Sequence, residues 1–352
     1  MNDSLNTWRR AFKSLAWPLV ALGLLLAFNA AFMPGFFALE ARDGRLYGVL
    51  VDILNHGSRT ALVALGMTLV IATGGVDLSV GAVAAIAGAV TATLLVQAHA
   101  PWPVAIAGAL ALGACCGLWN GVCVSVLGLQ PIVATLVLMV AGRGVAQLIT
   151  GGSIITFESA AVAALANSSF LGLPIPVSLL VLAAAMLHAL TRRSALGLYI
   201  ECVGDNPAAA RLAGIPDRAV MLCVYGLCGL LAAAAGVIEC AYIKAADANN
   251  AGSLLELDAI LAVVIGGTSL SGGRFSIAGT IVGAMLMQTL TKTLYMHDVS
   301  AEIAPAPKAL VVILVCLLQA PKVRSQVRSL ASGLLQRGSK SKSQNNESQV
   351  TP

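Results

Sequence analysis

The sequence has little charge. Only 11% of its 352 residues are Asp, Glu, Lys or Arg, where a soluble domain has about a quarter. Between Leu78 and Gly142 there is none at all. So few charges cannot clothe a chain of this length in water, which excludes a soluble enzyme or a large soluble domain. Aromatic residues are also scarce, at 5%. The basic residues are not interleaved with them, which excludes a nucleic-acid reader. Histidine is nearly missing: His56, His99, His188 and His297 are scattered, with no H-E-x-x-H pair and no nucleophile motif. The cysteines (Cys115, Cys116, Cys123, Cys202, Cys223, Cys228, Cys240 and Cys316) form no C-x-x-C pair, and most sit in apolar runs. They read as small packing residues and not as metal or redox ligands. The expectation is a chain with no catalytic set, no metal site and no cofactor of its own.

What the chain does have is apolar length. Hydrophobic residues make up 58% of it, and the mean hydropathy is +0.87. A membrane helix takes about 20 apolar residues, so there is room for up to about ten crossings. Turn signals such as His-Ala-Pro-Trp-Pro at 99–103 and Gly-Leu-Gln-Pro at 128–131 divide the long uncharged run. The expected crossings are approximately 17–37, 58–73, 78–97, 104–127, 132–149, 174–191, 219–241, 258–270, 275–292 and 305–320. The eighth and tenth are short enough to be re-entrant or tilted into the interior. The 35 glycines and runs such as Ala232–Ala235 suit close helix packing in lipid. The fold class is therefore all-α, a polytopic transmembrane helix bundle.

The N-terminus imitates a signal peptide, but the apolar run at 17–37 outlasts an h-region of about 7–15 residues and reads as a retained crossing. Ten crossings place both termini on one side. Arg9, Arg10, Lys13, Arg192, Arg193, Arg211, Arg218, Arg274 and the tail residues Lys322, Arg324, Arg328, Arg337, Lys340 and Lys342 then fall in the cytoplasm, the orientation the positive-inside rule selects. The outer side keeps a smaller set, including three arginines in its first loop. The domain reading is a cytoplasmic tail at 1–16, a transmembrane domain at 17–320 and a basic, polar tail at 321–352 expected to be disordered.

The segment 191–218 is unlike the rest. Gly204 is expected to end one helical stretch. Asp205 or Asn206 caps the next, and Pro207 sits where its missing N–H costs nothing. Residues 208–213, including Ala208 and Ala209, form a short helix that Gly214 and Pro216 stop. So short a helix is not stable alone. It needs a surface: its own bundle or another subunit.

At this point a resemblance emerges. Thr191…Gly197…Val203-Gly204-Asp205-Asn206…Ala208-Ala209…Gly214-Ile215 resembles the coupling-loop signature of sugar ABC-importer permeases of the ribose type. The stretches 66–81 (Gly-Met-Thr-Leu…Asp-Leu-Ser-Val-Gly), 117–121 (Gly-Leu-Trp-Asn-Gly), 130–136 (Gln-Pro-Ile-Val-Ala-Thr-Leu) and 257–273 (Leu-Asp-Ala-Ile…Ser-Gly-Gly) resemble the same family in the same order. Residues 143–152 and 246–252 narrow the likeness toward its galactofuranose importers. The resemblance spans residues ~45 to ~320. It implies a membrane permease subunit of an ATP-driven sugar importer in the bacterial inner membrane, forming half of the path for a monosaccharide. The implied partners are an ABC ATPase subunit that holds the ATP and Mg, a periplasmic sugar-binding protein and a second permease, identical or related. In that family Gly204, Asp205, Asn206, Pro207, Ala208, Ala209 and Gly214 would couple to the ATPase.

Several polar residues stand out. Asp77 follows a Gly-Gly break and either caps the next helix or contacts sugar. Asn120 lies mid-crossing, so it either bonds between helices or meets a substrate hydroxyl. Arg143 and Gln147 share a helix face and are either a structural pair near the outer end or part of the substrate path. A charge so placed faces the protein interior or water, with Glu239 as a conjectured counter-charge. Asp247, Asn249 and Asn250 fall in an expected outer loop, either a solvated turn or a contact for sugar or the delivering protein; planar amides and carboxylates are suited to hydroxyls. The run Gly266–Arg274 lacks the G-K-[ST] core of a phosphate loop and reads as a tight turn. The competing class is an ion-coupled secondary sugar transporter, which would need membrane-embedded acids.

Overall fold

The computed structural model describes residues 2–42, 45–170, 172–300 and 302–319. The basic residues from Lys322 onward, and the tail expected at 321–352, lie outside them. In chain order the elements are α1 (Asn2–Phe32), β1 (Glu40–Arg42), β2 (Arg45–Tyr47), α2 (Val49–Ala72), α3 (Val80–Val96), α4 (Trp102–Ser125), α5 (Pro131–Thr150), β3 (Ile155–Thr156), α6 (Ala160–Asn167), β4 (Ser169–Phe170), β5 (Leu173–Pro174), α7 (Ile175–Arg193), α8 (Leu196–Asp205), α9 (Pro207–Leu212), α10 (Asp217–Ile243), β6 (Ala245–Ala246), α11 (Leu255–Ile265), α12 (Ile277–Met296) and α13 (Pro305–Gln319). The strands form three short antiparallel pairs, β1–β2, β3–β6 and β4–β5. Residues 1–301 form one compact unit, and α13, a 15-residue apolar helix, belongs to a second.

Among the described residues, Leu15–Phe32, Trp102–Ser125, Pro131–Thr150, Ile175–Arg193 and Asp217–Ile243 are long and apolar enough to cross a membrane. The chain is thus mostly helical, with the make-up of a membrane helix bundle. α1 begins at Asn2, so the segment expected as a tail continues the first helix, with Pro18 inside it.

α10 is the central element, packed on α4, α3 and α2. Small residues allow this. A Cβ on Gly117 would overlap the Tyr225 carbonyl, and one on Gly229 would overlap that of Gly113. Glycines four apart on α4 thus let two backbones touch, the source of helix association in lipid, where burial of apolar surface no longer drives it. α4, α5 and α7 turn Leu118, Val137, Val140, Leu148, Val181 and Met186 outward, an apolar surface that water would not favour. Two buried polar links fasten α12. Thr68 Oγ1 lies 2.7 Å from Thr280 Oγ1 on α2 and α12, and Asn29 Nδ2 on α1 donates to Thr293 Oγ1 at 2.8 Å. Such links contribute about 0.6 kcal/mol each.

Two elements are broken. α3 has 17 residues, about 25 Å at 1.5 Å each. It begins part-way along α10: Gly75 lies at Tyr225, and Ala84 lies against Gly236. Segment 73–79 therefore climbs from the end of α2 into the bundle. α11 has 11 residues, about 16 Å, too short to cross as a helix by itself. The chain after α10 turns back, so that Gly252 rests against Gly81, about a turn before Ala84 on α3. The stretch expected as an outer loop is thus re-entrant, and α11 starts inside the bundle. Non-helical backbone at such depth is tolerated where protein buries it or a cavity adjoins it.

Candidate functional site

Three groups of polar residues lie along the two broken elements. The first lies where their inner ends meet. Arg143 on α5 donates through Nη1 to the Ala251 carbonyl. One turn on, Gln147 Nε2 donates to Asn249 Oδ1 at 2.8 Å. The helix face shared by Arg143 and Gln147 therefore holds the re-entrant segment. Asp247 organises that segment from within: its carboxylate accepts from the backbone N–H groups of Asn249 (3.0 Å) and Asn250 (3.2 Å) and from Asn250 Nδ2 (2.8 Å). These bonds, the Asn250 side chain foremost, hold its carboxyl below the ordinary carboxylate range. Asn249 and Asn250 are exposed, so amide groups remain open to a ligand.

Glu239 is not the counter-charge of Arg143. The carboxylate that lies beside Arg143 is Glu256, 5% exposed on the first turn of α11. A Cβ on Gly81 would strike Glu256 Oε2 and stand 3.5 Å from Arg143 Nη2. The conjecture failed because Glu239 lies on α10 and the return of the chain after it cannot be read from spacing. Glu256 went unnoticed because it looks like an ordinary first-turn acid; its one signal was a carboxylate opening an apolar run.

The second group is deeper along α10. Asp77 is not the cap of α3, because Ser79 takes that position. Asp77 Oδ1 accepts from Ser79 N–H (2.9 Å), Ser79 Oγ (2.6 Å) and Asn120 Nδ2 (3.3 Å), and Asn120 Nδ2 also donates to Ser79 Oγ (2.8 Å). One carboxylate thus folds the break and fastens it to α4. Two polar atoms of the group, Asn120 Oδ1 and the Tyr225 hydroxyl, are buried without a partner among the described residues. Tyr225 was not foreseen, since a lone tyrosine in an apolar helix resembles core.

The third group is the segment between α7 and α10. Asn206, not Asp205, caps α9: its Oδ1 accepts from Ala209 N–H at 3.0 Å, with Pro207 at the first position. Gly214, at φ +79°, ends the helix. Asp205 to Ala209 are exposed and only Ala210 is buried beneath them; Leu212 is 92% exposed. Arg211 Nε donates to Asp217 Oδ2 at 2.6 Å, tying α9 to the start of α10. Gly204 does not end its helix in a left-handed turn, but lies within the last turn of α8. It is small because backbone surrounds it. A Cβ there would overlap the Ala72 carbonyl and stand 2.5 Å from Gly273 N, and one on Gly272 would stand 2.6 Å from Gly204 O. Gly273 N–H donates to Ala72 O at 2.9 Å. The end of α2, the turn after α11 and the end of α8 are thus clamped backbone to backbone.

Residues 49–320 match the family described as branched-chain amino acid transport system / permease component. The galactofuranose transporter permease protein of Escherichia coli K12 is 48% identical over 93% of this chain and 96% of its own. The fructose import permease protein of Bifidobacterium longum is 42% identical over 89% of each. The ribose import permease protein of E. coli K12 is 39% identical over 89% of this chain and 97% of its own. No solved structure matches. With a family match over most of its length and relatives of this identity spanning nearly all of it, the chain belongs to this family of transport permeases.

Proposed function

We propose that the chain is the membrane permease subunit of an ATP-driven importer in the bacterial inner membrane. Its substrate is a monosaccharide, galactofuranose before others. Three relatives are named for sugars, and the galactofuranose permease shares 48% identity. The bundle has about ten membrane-embedded elements with both termini cytoplasmic. It forms half of the path with a second permease, identical or related. A periplasmic binding protein delivers sugar, and a separate ABC ATPase, holding ATP and Mg, works from the cytoplasm. This chain hydrolyses nothing.

One observation carries the mechanism: the backbone clamp at Gly204. The exposed face of α9 receives the ATPase. Displacement of α8–α9 bears on Ala72 and Gly273 at once. Ala72 leads through the break to Asp77 and α3, and Gly273 leads through α11 to Glu256 and Gly252. The two broken elements therefore move together, and their inner ends, with Asp247, Asn249, Asn250, Arg143 and Gln147 around them, open or close the path. Broken helices that meet inside the membrane serve transporters in this way.

Two substitutions test it. Gly204→Val forces a side chain into the clamp, and Ala209→Asp puts charge on the docking face. Both are expected to abolish ATP-dependent uptake in vesicles while membrane insertion is unchanged. Uptake that survives both overturns the coupling role. Uptake that continues without ATP and stops when the proton gradient collapses would assign the chain to the ion-coupled class.

A further inference from the structure

Away from these three groups, four stretches of the chain line a cavity of about 200 Å³. Its walls are the end of β2, the first turns of α2, the junction of α6 and α7, and the last turn of α10. The chemistry lies in Tyr47, Asp52, Asn55, Asn167, Ser169 and Tyr242. All four stretches belong to segments that the proposed orientation places outside, so the cavity lies at the outer mouth of the bundle.

Its side chains are held. Asp52 Oδ2 accepts from Lys292 Nζ at 2.8 Å, which balances its charge. Asn55 Nδ2 donates to the Ala166 carbonyl at 3.4 Å, and Asn167 Nδ2 to the Ala163 carbonyl at 3.1 Å. Both amides thus engage their N–H₂ ends within the protein, and neither Oδ1 has a protein donor among the described residues. The Tyr242 ring is braced by the His56 ring at 4.9 Å and by the Arg59 guanidinium at 5.2 Å. What remains is a pocket rich in acceptors: two amide oxygens, a charge-balanced carboxylate, a serine hydroxyl and two phenols. Its complement is a compact neutral molecule with many hydroxyl donors. An anion would meet Asp52 and carbonyl oxygens. A zwitterionic amino acid would need a cation for its carboxylate, and Lys292 is already paired. Sites for drug-sized ligands measure about 300–1,000 Å³, so this one admits a single sugar ring and no oligosaccharide.

We infer that this cavity is an outer subsite for one neutral monosaccharide, which receives sugar before the inner ends of α3 and α11 do. The inference rests on the sugar-import reading, but it fails separately. The test is saturation-transfer NMR on the full chain in lipid nanodiscs. The probe is D-galactose, and L-leucine is the control. The expected result is transfer to galactose and none to leucine. Transfer falls at least about fivefold in the Asn55→Ala/Asn167→Ala double variant and partially in Asn167→Ala, an exposed position whose change leaves the fold intact. It is unchanged in Gln97→Ala, an exposed position at the end of α3 that belongs to none of these groups. The inference is overturned by absence of transfer to galactose, by equal transfer to leucine, by insensitivity to both asparagine changes, or by an equal loss in Gln97→Ala. If the cavity seats a loop of the delivering protein instead, the double variant weakens capture of that protein while galactose shows no transfer, which also overturns it. ATP-dependent uptake by the assembled importer is measured in parallel. Its absence with wild-type chain would refute the import reading, whatever the NMR shows.

Discussion

At the scale of single residues, the centre of the bundle is asymmetric in what it satisfies. Asp77 serves Ser79 and Asn120, and these bonds shape the break between α2 and α3 and fasten it to α4. The Tyr225 hydroxyl, on the facing helix, serves nothing among the described residues. Removing an acceptor strands its donors, at about 1–3 kcal/mol for a buried group, whereas removing a polar atom that has no partner is neutral or favourable. Asp77→Ala is therefore expected to destabilise the purified chain, and Tyr225→Phe to leave it unchanged or stabilise it, in denaturation followed by helical circular dichroism. If Tyr225→Phe costs as much as Asp77→Ala, the hydroxyl has a partner and the bonding described for this group is incomplete. The existence of polar positions here was legible in the sequence, because Asp77 and Asn120 interrupt apolar runs. Their mutual contact was not, because 43 residues and a helix reversal separate them.

At the scale of elements, the re-entrant segment after α10 shows how few interactions hold irregular backbone inside a bundle. Arg143 and Gln147 grip it from α5, and Asp247 ties its own turn through three donors. The Asp247 carboxyl lies below the ordinary carboxylate range because those donors favour the charged form. The contribution to the turn is therefore complete above that range and is lost as pH falls through the lowered value. Hydrogen exchange over residues 248–252, corrected for intrinsic rate, should show the same protection from pH 8 to pH 5. Asp247→Ala should lose that protection across the whole interval. Protection that drops between pH 7 and pH 5 in the wild type would place the controlling group elsewhere. Most of the long apolar helices followed approximately from run length and turn residues, and the cap of α9 was narrowed to Asp205 or Asn206 ahead of Pro207. The return of the chain to Gly81 did not follow. Amides and small residues write a surface loop and a buried re-entrant turn alike, and only the contact with α3 separates them.

For residues 1–301 as a whole, the glycine clamp sets the end of α8 backbone to backbone against the segments that lead to Asp77 and to Gly252. Gly204 was conspicuous in the sequence as part of a motif, yet its reason was invisible there: the backbones that exclude a side chain come from positions 72 and 273. If both broken elements shift together, the packing around Asp77 must change with them, and Cys228 reports on that. Its thiol is on α10 beside Asp77 and is fully buried, while Cys115 and Cys223 are exposed. Thiol reactivity requires access. Mass-spectrometric mapping with a small water-soluble maleimide should find Cys228 unmodified in the isolated chain and in the resting importer. On the proposed coupling, ATP turnover in the reconstituted importer with sugar supplied should open it to modification, because the packing around Asp77 shifts with the two elements. Gly204→Val should keep Cys228 protected under turnover even where ATP is still hydrolysed, since the break in the path lies between the ATPase and the membrane. Protection of Cys228 through wild-type turnover would mean that the Asp77 group is a fixed strut, and that the moving part lies only around Gly81 and Gly252.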